Sequence, residues 1–358
     1  MNSRRFREIA RTMLSATGTI GIARKLRARF ARQNAPTPSP RIEHQDANQY
    51  ASRVSAEIAT FEHNSFVHDL PAIFHYWSNK YLLPTIQPFG FIHPDDFFIK
   101  QAAMALDADR TTHASLISIG AGNCDTEVRI ASGLVALGYD KFSIECLDLN
   151  AAMLARGQEL AKSEGLERHI IPVEGDFNRW VPDKSYRAVL ANQSLHHVLH
   201  LEHLFDSILA AIKGDNGTLI TSDMIGRNGH QRYPEALAIV EEFWRELPAK
   251  YKFNHQLKRQ EDAFINWDCA TDGFEGIRAQ DIMPLLCERF HFDLFVPFSN
   301  VIAPFIDRGF GHNFDVQSDW DRSFIDRVHE RDQAEINAGH ISPKIGRASC
   351  RERVLMPV

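Results

Sequence analysis

No run of about 18 apolar residues, the length needed to cross a bilayer, occurs in this 358-residue sequence, so a transmembrane helix is excluded. Cysteine is sparse. The five (Cys124, Cys146, Cys269, Cys287, Cys350) contain no Cys-x-x-Cys pair, which argues against a disulfide framework or a thiolate metal centre and reads as reduced thiols of a cytoplasmic protein. Internal repeats are lacking, and low complexity is confined to Asn34-Ala-Pro-Thr-Pro-Ser-Pro-Arg41. With 44% hydrophobic and 24% charged residues the composition is that of an ordinary globular protein, not a disordered or fibrous one.

Positive charge is scarce in the body and crowded at the start. Residues 1–41 carry ten Lys/Arg against Glu8 alone, so a net charge of -6 leaves the remainder at about -15. A body that acidic is repelled by phosphate backbones, so nucleic acid is not expected as a partner. Phe6, Ile9, Met13 and Leu14 share one apolar face, and Ile20, Ile22, Leu26 and Phe30 another. Residues 1–33 are therefore candidates for weak contact with an anionic membrane surface, at the inner face of the membrane; the alternative is a solvated extension. Thr12–Ala23 is broken by Ser, Thr and Gly with no small-residue cleavage site after it, unlike a signal peptide.

Periodicity divides the body. Tyr50–Phe61 and Leu70–Leu82 read as helices, and Pro94-Asp-Asp opens a third, with proline and two acids in its first turn. From residue 115 short strand-like runs (Ser115–Gly120, Phe142–Asp148, Ile170–Asp176, Arg187–Asn192, Gly217–Ile225) alternate with helical stretches at about 125–137, 150–164 and 201–213. That alternation predicts βαβ units, an α/β fold with a mostly parallel, doubly wound sheet, and a ligand at the strands' C-terminal edge. Further helices are predicted over Gln231–Leu247 and 278–288, and a strand over Phe290–Phe298. The expected organisation is a tail and linker (1–41), a helical cap (42–110), a ligand-binding core (111–225), a substrate lid insertion (226–276), the remainder of the core (277–344) and a tail (345–358).

The segment with most chemistry is Leu116-Ile-Ser-Ile-Gly-Ala-Gly-Asn-Cys-Asp-Thr-Glu127, where a strand meets a helix through Gly120-Ala-Gly122. Glycines there let backbone approach a ligand and take left-handed turns. The dehydrogenase fingerprint requires a third glycine where this chain has Asp125, and an acid at that helix start suits a pyrophosphate poorly, so a nicotinamide cofactor is disfavoured. Over roughly residues 70–300 the chain resembles the class I S-adenosylmethionine-dependent methyltransferases. Gly120-Ala-Gly122 resembles their glycine-rich first motif, and Glu145-Cys-Leu-Asp-Leu-Asn-Ala-Ala-Met-Leu154 their second strand end. Glu174-Gly-Asp-Phe177 resembles the third strand end, and Asn192-Gln-Ser-Leu-His-His197 with Leu201-Glu-His-Leu-Phe205 the fourth.

The resemblance implies a Rossmann-like core with a seven-strand-type sheet and S-adenosylmethionine as cofactor. Gly120, Ala121, Gly122 and Asn192 would line its seat. Asp148 would take the ribose hydroxyls, Leu149 and Phe177 would sandwich adenine, and Asp176 would accept from the adenine amino group. Two positions depart from the pattern: Ser118 stands where the family has an acid, and Cys124 where it has a third glycine.

The implied activity is methyl transfer to oxygen or nitrogen of a small-molecule or carrier-linked acceptor. The alternatives are an aminopropyl-type transferase and a binding module without turnover. The sequence lacks the Pro-Pro-aromatic loop of adenine amino methyltransferases and the Pro-Cys pair of cytosine C5 enzymes. Asn192-Gln193 lacks the carboxylates of the metal-assisted catechol type, and no metal ligands are expected. His196 and His197 are candidates for a general base, imidazole titrating near pH 6.5, against a helix cap and a packed core residue. Tyr76 and Trp77 are candidates for a lid, against core aromatics. Arg227, Asn228 and His230 are candidate acceptor contacts, against a solvated loop with a helix cap. Ile345-Gly-Arg-Ala-Ser-Cys-Arg-Glu-Arg-Val354 resembles a translated stretch of a short-read sequencing adapter, which predicts an end near Lys344, a tail without function, and a missing last strand.

Overall fold

In the computed structural model the described residues are 47–62, 70–213, 217–271 and 273–352. The basic arm, the Pro-rich linker and the membrane contact expected of residues 1–33 lie outside them. None of the helices among the described residues is long and apolar enough to cross a membrane.

The centre is one sheet of seven strands: β1 (Ala114–Ile119), β2 (Phe142–Asp148), β3 (Ile170–Glu174), β4 (Ala188–Asn192), β5 (Thr218–Met224), β6 (Phe290–Phe298) and β7 (Ile345–Glu352). Their order is β3-β2-β1-β4-β5-β7-β6. The first five pair in parallel, whereas β7 runs antiparallel to both β5 and β6. The chain leaves β1 toward β2 and β3, then returns to the other side of β1 with β4. That reversal opens a crevice between the C-terminal ends of β1 and β4, where the first connection can hold a ligand.

Nine helices of the described residues are used below: α1 (Ala47–Glu62), α2 (Ala72–Trp77), α3 (Pro94–Leu106), α4 (Asp125–Ala136), α5 (Ala151–Ser163), α6 (Leu201–Ile212), α7 (Pro234–Glu246), α8 (Ala279–Arg289) and α9 (Asp319–Ala338). The β1–β5 strands have few exposed faces because helices cover both sides, so they read as near-continuous apolar runs. Phe97, Phe98, Val128, Ile130, Leu134, Leu154 and Ala161 of α3, α4 and α5 pack on one face with Leu116, Ile144 and Leu190. Leu201, Leu204, Phe205 and Ile208 of α6 and Ile282, Met283 and Leu286 of α8 pack on the other, with Ile117, Val189 and Leu219. The sheet is thus the Rossmann-like, doubly wound, mostly parallel one expected from the alternation.

A third apolar cluster lies at the ends of β6 and β7, joining Phe298 and partly buried Ile345 to α2, α7 and α9 through Ile73, Phe243 and Phe324. Tyr76 and Trp77 belong here. Trp77 is buried and its Nε1 donates to His329 Nδ1 at 3.1 Å; the Tyr76 hydroxyl donates to Asp326 at 2.9 Å. Both side chains are engaged with α9.

The expected gap at the last strand is filled: residues 345–352, which resemble a translated sequencing adapter, form β7, paired along both edges inside the sheet with Ala348, Ser349 and Cys350 buried. Backbone pairing on two sides supplies the ladder, and Gly346, Ala348 and Ser349 are small enough to fit between helix-covered neighbours. Residues 353–358 lie outside the described ones.

Candidate functional site

The glycine loop forms because β1 ends on the backbone of β2: Gly120 and Ala121 N–H groups donate to Leu147 O at 2.8 and 3.2 Å. Gly120 and Gly122 take φ of +69° and +56°, and a Cβ on Gly120 would stand 2.7 Å from Ser194 Cβ. Glycine is required there for conformation and for space. Cys124, where the resembled pattern has its third glycine, also takes a left-handed φ of +57°. Its side chain fits because α5 presents Gly157, whose added Cβ would meet Cys124 Sγ at 2.6 Å.

Above this loop is a cavity of about 380 Å³. Of the predicted cofactor residues, Gly120, Ala121, Gly122, Asp148, Leu149, Phe177 and Asn192 line it. Asp148 Oδ2 accepts from Gly122 N at 2.8 Å and Oδ1 from Asn150 N at 2.9 Å. Burial raises its pKa, and those two backbone donors oppose the rise. A carboxylate has about four acceptor sites, so two are left for ligand hydroxyls. Asp176 is placed differently. It does not line the cavity; Oδ2 accepts from the Tyr50 hydroxyl at 2.7 Å and Oδ1 from Asn178 N at 2.9 Å. Tyr50 belongs to α1, which thereby reaches across the end of β3.

Glu127 was not singled out by sequence, yet its position answers one departure from the pattern. Ser118 on β1 donates its hydroxyl to Glu127 Oε1 at 2.7 Å, so α4 delivers a carboxylate beside the serine that replaces the strand acid. Glu127 lines the cavity and its Oε2 is buried with no hydrogen-bond partner. Burial pushes its pKa up to about 7 against the Ser118 hydrogen bond.

The far wall is a cluster of histidines and carboxylates. Asp223, one residue from the end of β5, accepts from the N–H groups of Ser194 (2.9 Å) and Leu195 (2.7 Å) and meets His196 Nδ1 at 2.6 Å. His197 Nδ1 lies 2.7 Å from Glu57 Oε1 of α1. The Nε2 atoms of His196 and His197 face Glu275 at 3.5 and 3.4 Å, and His230 Nε2 contacts Glu275 Oε1. Burial lowers the pKa of His196, but Asp223 and Glu275 override it and hold it up to about 10; His230 is pushed down to about 4 by burial. Burial would raise Glu275, and hydrogen bonds from His196 and His230 hold it well below the usual range instead.

Glu275 arrives through a backbone crossing that only glycines permit. Gly229 N donates to Gly276 O at 2.9 Å, and a Cβ on Gly276 would stand 3.1 Å from Gly229 N. The Gly-Phe-Glu-Gly276 turn and the Asn228-Gly229 pair are the sequence signals for this contact. His230 joins the cluster but does not line the cavity. Arg227 and Asn228 are used in the loop: Arg227 Nη1 donates to Arg232 O at 3.3 Å, and Asn228 Oδ1 accepts from Gln280 N at 3.1 Å in the first turn of α8. Sequence reading also missed Glu57, Met153, Met224 and Arg308 of the lining.

No protein-family model matches the chain, and no curated protein matches its sequence. Among solved structures it is similar to geranyl diphosphate C-methyltransferase from Streptomyces coelicolor A3(2), bound to S-adenosyl-L-homocysteine. That match has 13% identity and a TM-score of 0.43, covering 85% of this chain and 99% of that one. It is also similar to the [4+2]-cyclase SpnF, at 12% identity and a TM-score of 0.39, covering 72% of this chain and 82% of that one. At such distances these neighbours transfer no activity to this chain. Strand order, the antiparallel β7 and the crevice beside the glycine loop make this a Rossmann-like, doubly wound sheet with a cavity at the C-terminal edge of its parallel strands.

Proposed function

We propose that the chain is an S-adenosylmethionine-dependent methyltransferase acting on oxygen or nitrogen of a small-molecule or carrier-linked acceptor. The observation that carries this reading is the charge of the cavity. Glu57, Asp125, Glu127, Asp148 and Glu275 line it, and one of these, Glu127, holds a buried oxygen without a partner. Five carboxyl groups against Arg308 and two histidines around one cavity disfavour a pyrophosphate and favour a cationic nucleoside.

When bound, the cofactor supplies a methyl group activated by a sulfonium. Asp148 would accept the ribose hydroxyls, Leu149 and Phe177 would pack on the base, and Glu127 would supply a carboxyl toward the ammonium end. The Gly120–Gly122 backbone approaches closely because no Cβ stands in the way. Tyr50 fixes Asp176 and closes the adenine end with α1. The histidine–carboxylate cluster borders the other end, where an acceptor must lie for in-line attack. There an acceptor hydroxyl or amine would give up its proton to the histidine–carboxylate cluster as it takes the methyl group, leaving S-adenosylhomocysteine. His196 and His197 enter the proposal as members of that cluster.

Thermal unfolding of the full chain tests the reading. S-adenosylmethionine and S-adenosylhomocysteine are expected to stabilise it by about 2.7 kcal/mol at a hundredfold excess over Kd. NAD is expected to leave it unchanged. Stabilisation by NAD alone contradicts the reading, and a preference for decarboxylated S-adenosylmethionine shifts it to aminopropyl transfer.

A further inference from the structure

We propose that His196, His197 and Glu275 form a binding site for a divalent transition-metal ion, open toward the cavity. The donor atoms are already at ligand spacing. A tetrahedral ion with bonds of about 2.1 Å separates its ligands by about 3.4 Å; His196 Nε2 stands 3.5 Å from Glu275 Oε1 and His197 Nε2 stands 3.4 Å from Oε2. All three donor atoms lie within 4.8 Å of one another.

The surroundings match a metal site as well. Ligating histidines have the second ring nitrogen fixed by a carboxylate or carbonyl, which selects the tautomer and aims the free nitrogen. Here Asp223 takes His196 Nδ1 at 2.6 Å, and Glu57 stands 2.7 Å from His197 Nδ1. Asp223 is itself held by two backbone N–H groups. Strand β5, helix α1 and the 269–276 loop thus each bring one carboxylate to two adjacent histidines. His230 is a positioning residue, its Nε2 on Glu275 Oε1.

Two imidazoles and one carboxylate favour zinc, cobalt, nickel or iron(II) over magnesium or calcium, which prefer all-oxygen shells. His196, His197 and Glu275 all line the cavity, so the remaining coordination positions face the acceptor end. An ion there would bind an acceptor oxygen and lower its pKa, releasing the proton to water before attack. This role rests on the methyltransferase reading; metal binding itself does not.

The test is metal uptake by the full chain after chelator treatment, with cobalt(II) as a spectroscopic probe and zinc in competition. One equivalent of cobalt per chain is expected, with intense visible bands of a four- or five-coordinate ion. Glu275→Gln is expected to abolish the bands. Asp223→Asn, which changes the partner of the ring nitrogen behind a ligand, is expected to weaken zinc binding about ten- to a hundredfold. His340→Gln, a substitution in an exposed ion pair with Glu335, is expected to change nothing. A folded parent that takes up no cobalt overturns the proposal, as do bands that survive Glu275→Gln. Binding of S-adenosylmethionine by the same preparation, read separately, tells failure of the metal site from failure of the methyltransferase reading.

Discussion

The residue that most sharply sets binding against stability is Glu127. Its carboxyl is buried, accepts one hydrogen bond, and carries a pKa of about 7 against an ordinary 4.5. Below pH 4.5 it is protonated folded and unfolded, and costs nothing by this route. Between 4.5 and 7 the unfolded chain loses the proton first, so stability falls as pH rises. Above 7 the deficit is constant, at about 3 kcal/mol as an upper bound. Glu127→Gln is therefore expected to stabilise the ligand-free protein at pH 8 and to be nearly neutral at pH 4. Denaturant unfolding at the two pH values measures this; an equal difference at both contradicts it. The same substitution is expected to weaken S-adenosylmethionine binding, because Glu127 is one of the carboxyl groups lining the cavity. Cys124 shows a different compensation: a left-handed residue where glycine is usual is accommodated by a glycine in the facing helix.

Among the elements, the predictable ones are those whose periodicity is undisturbed. Strands β1 to β6 and helices α3 to α8 fall within a few residues of their expected positions, because alternation of apolar runs with amphipathic stretches is dictated by burial on both sheet faces. Helix α9 has no counterpart in the sequence reading. Its charged residues crowd the pattern, and only Phe324, Ile325, Val328 and Ile336 mark the apolar side. Strand β7 lies in the segment that resembles a sequencing adapter, where the sequence predicts no strand, and it is held by pairing on both edges. Its fit is imperfect: the Arg347 guanidinium lies over the Phe298 ring and donates to Pro94 O at 3.4 Å, its Nε is unpartnered, and burial lowers its pKa to about 10. Arg347→Leu is expected to stabilise the protein by about 1 kcal/mol. A chain ending at Lys344 is expected to lose cooperative unfolding, since β5 and β6 would face each other across an empty slot. Calorimetric melts of both variants check this; a cooperative transition for the shortened chain would show that β7 is dispensable.

At the scale of the molecule, the cavity is assembled by parts far apart in sequence, which is why half of it was legible. The side next to β1 and β2 is local: Gly120, Gly122, Asp148 and Leu149 follow strand ends, and their spacing is the signal. The opposite side is tertiary. Glu57 arrives on α1 through the Tyr50–Asp176 contact, and Glu275 through the crossing of Gly229 and Gly276. Nothing in local sequence pairs either carboxylate with His196 or His197. The lid residues expected at 76 and 77 are likewise engaged by a helix that the periodicity hides.

The central claim is that this acidic cavity holds S-adenosylmethionine, with Asp148 on the ribose. Calorimetric titration of S-adenosylmethionine into the full chain, beside Asp148→Ala, addresses it most directly. The account predicts one site per chain and a loss of at least about tenfold in affinity for the variant, as charge-assisted hydrogen bonds to two hydroxyls require. No heat of binding from a folded parent, or equal affinity in the variant, would contradict it.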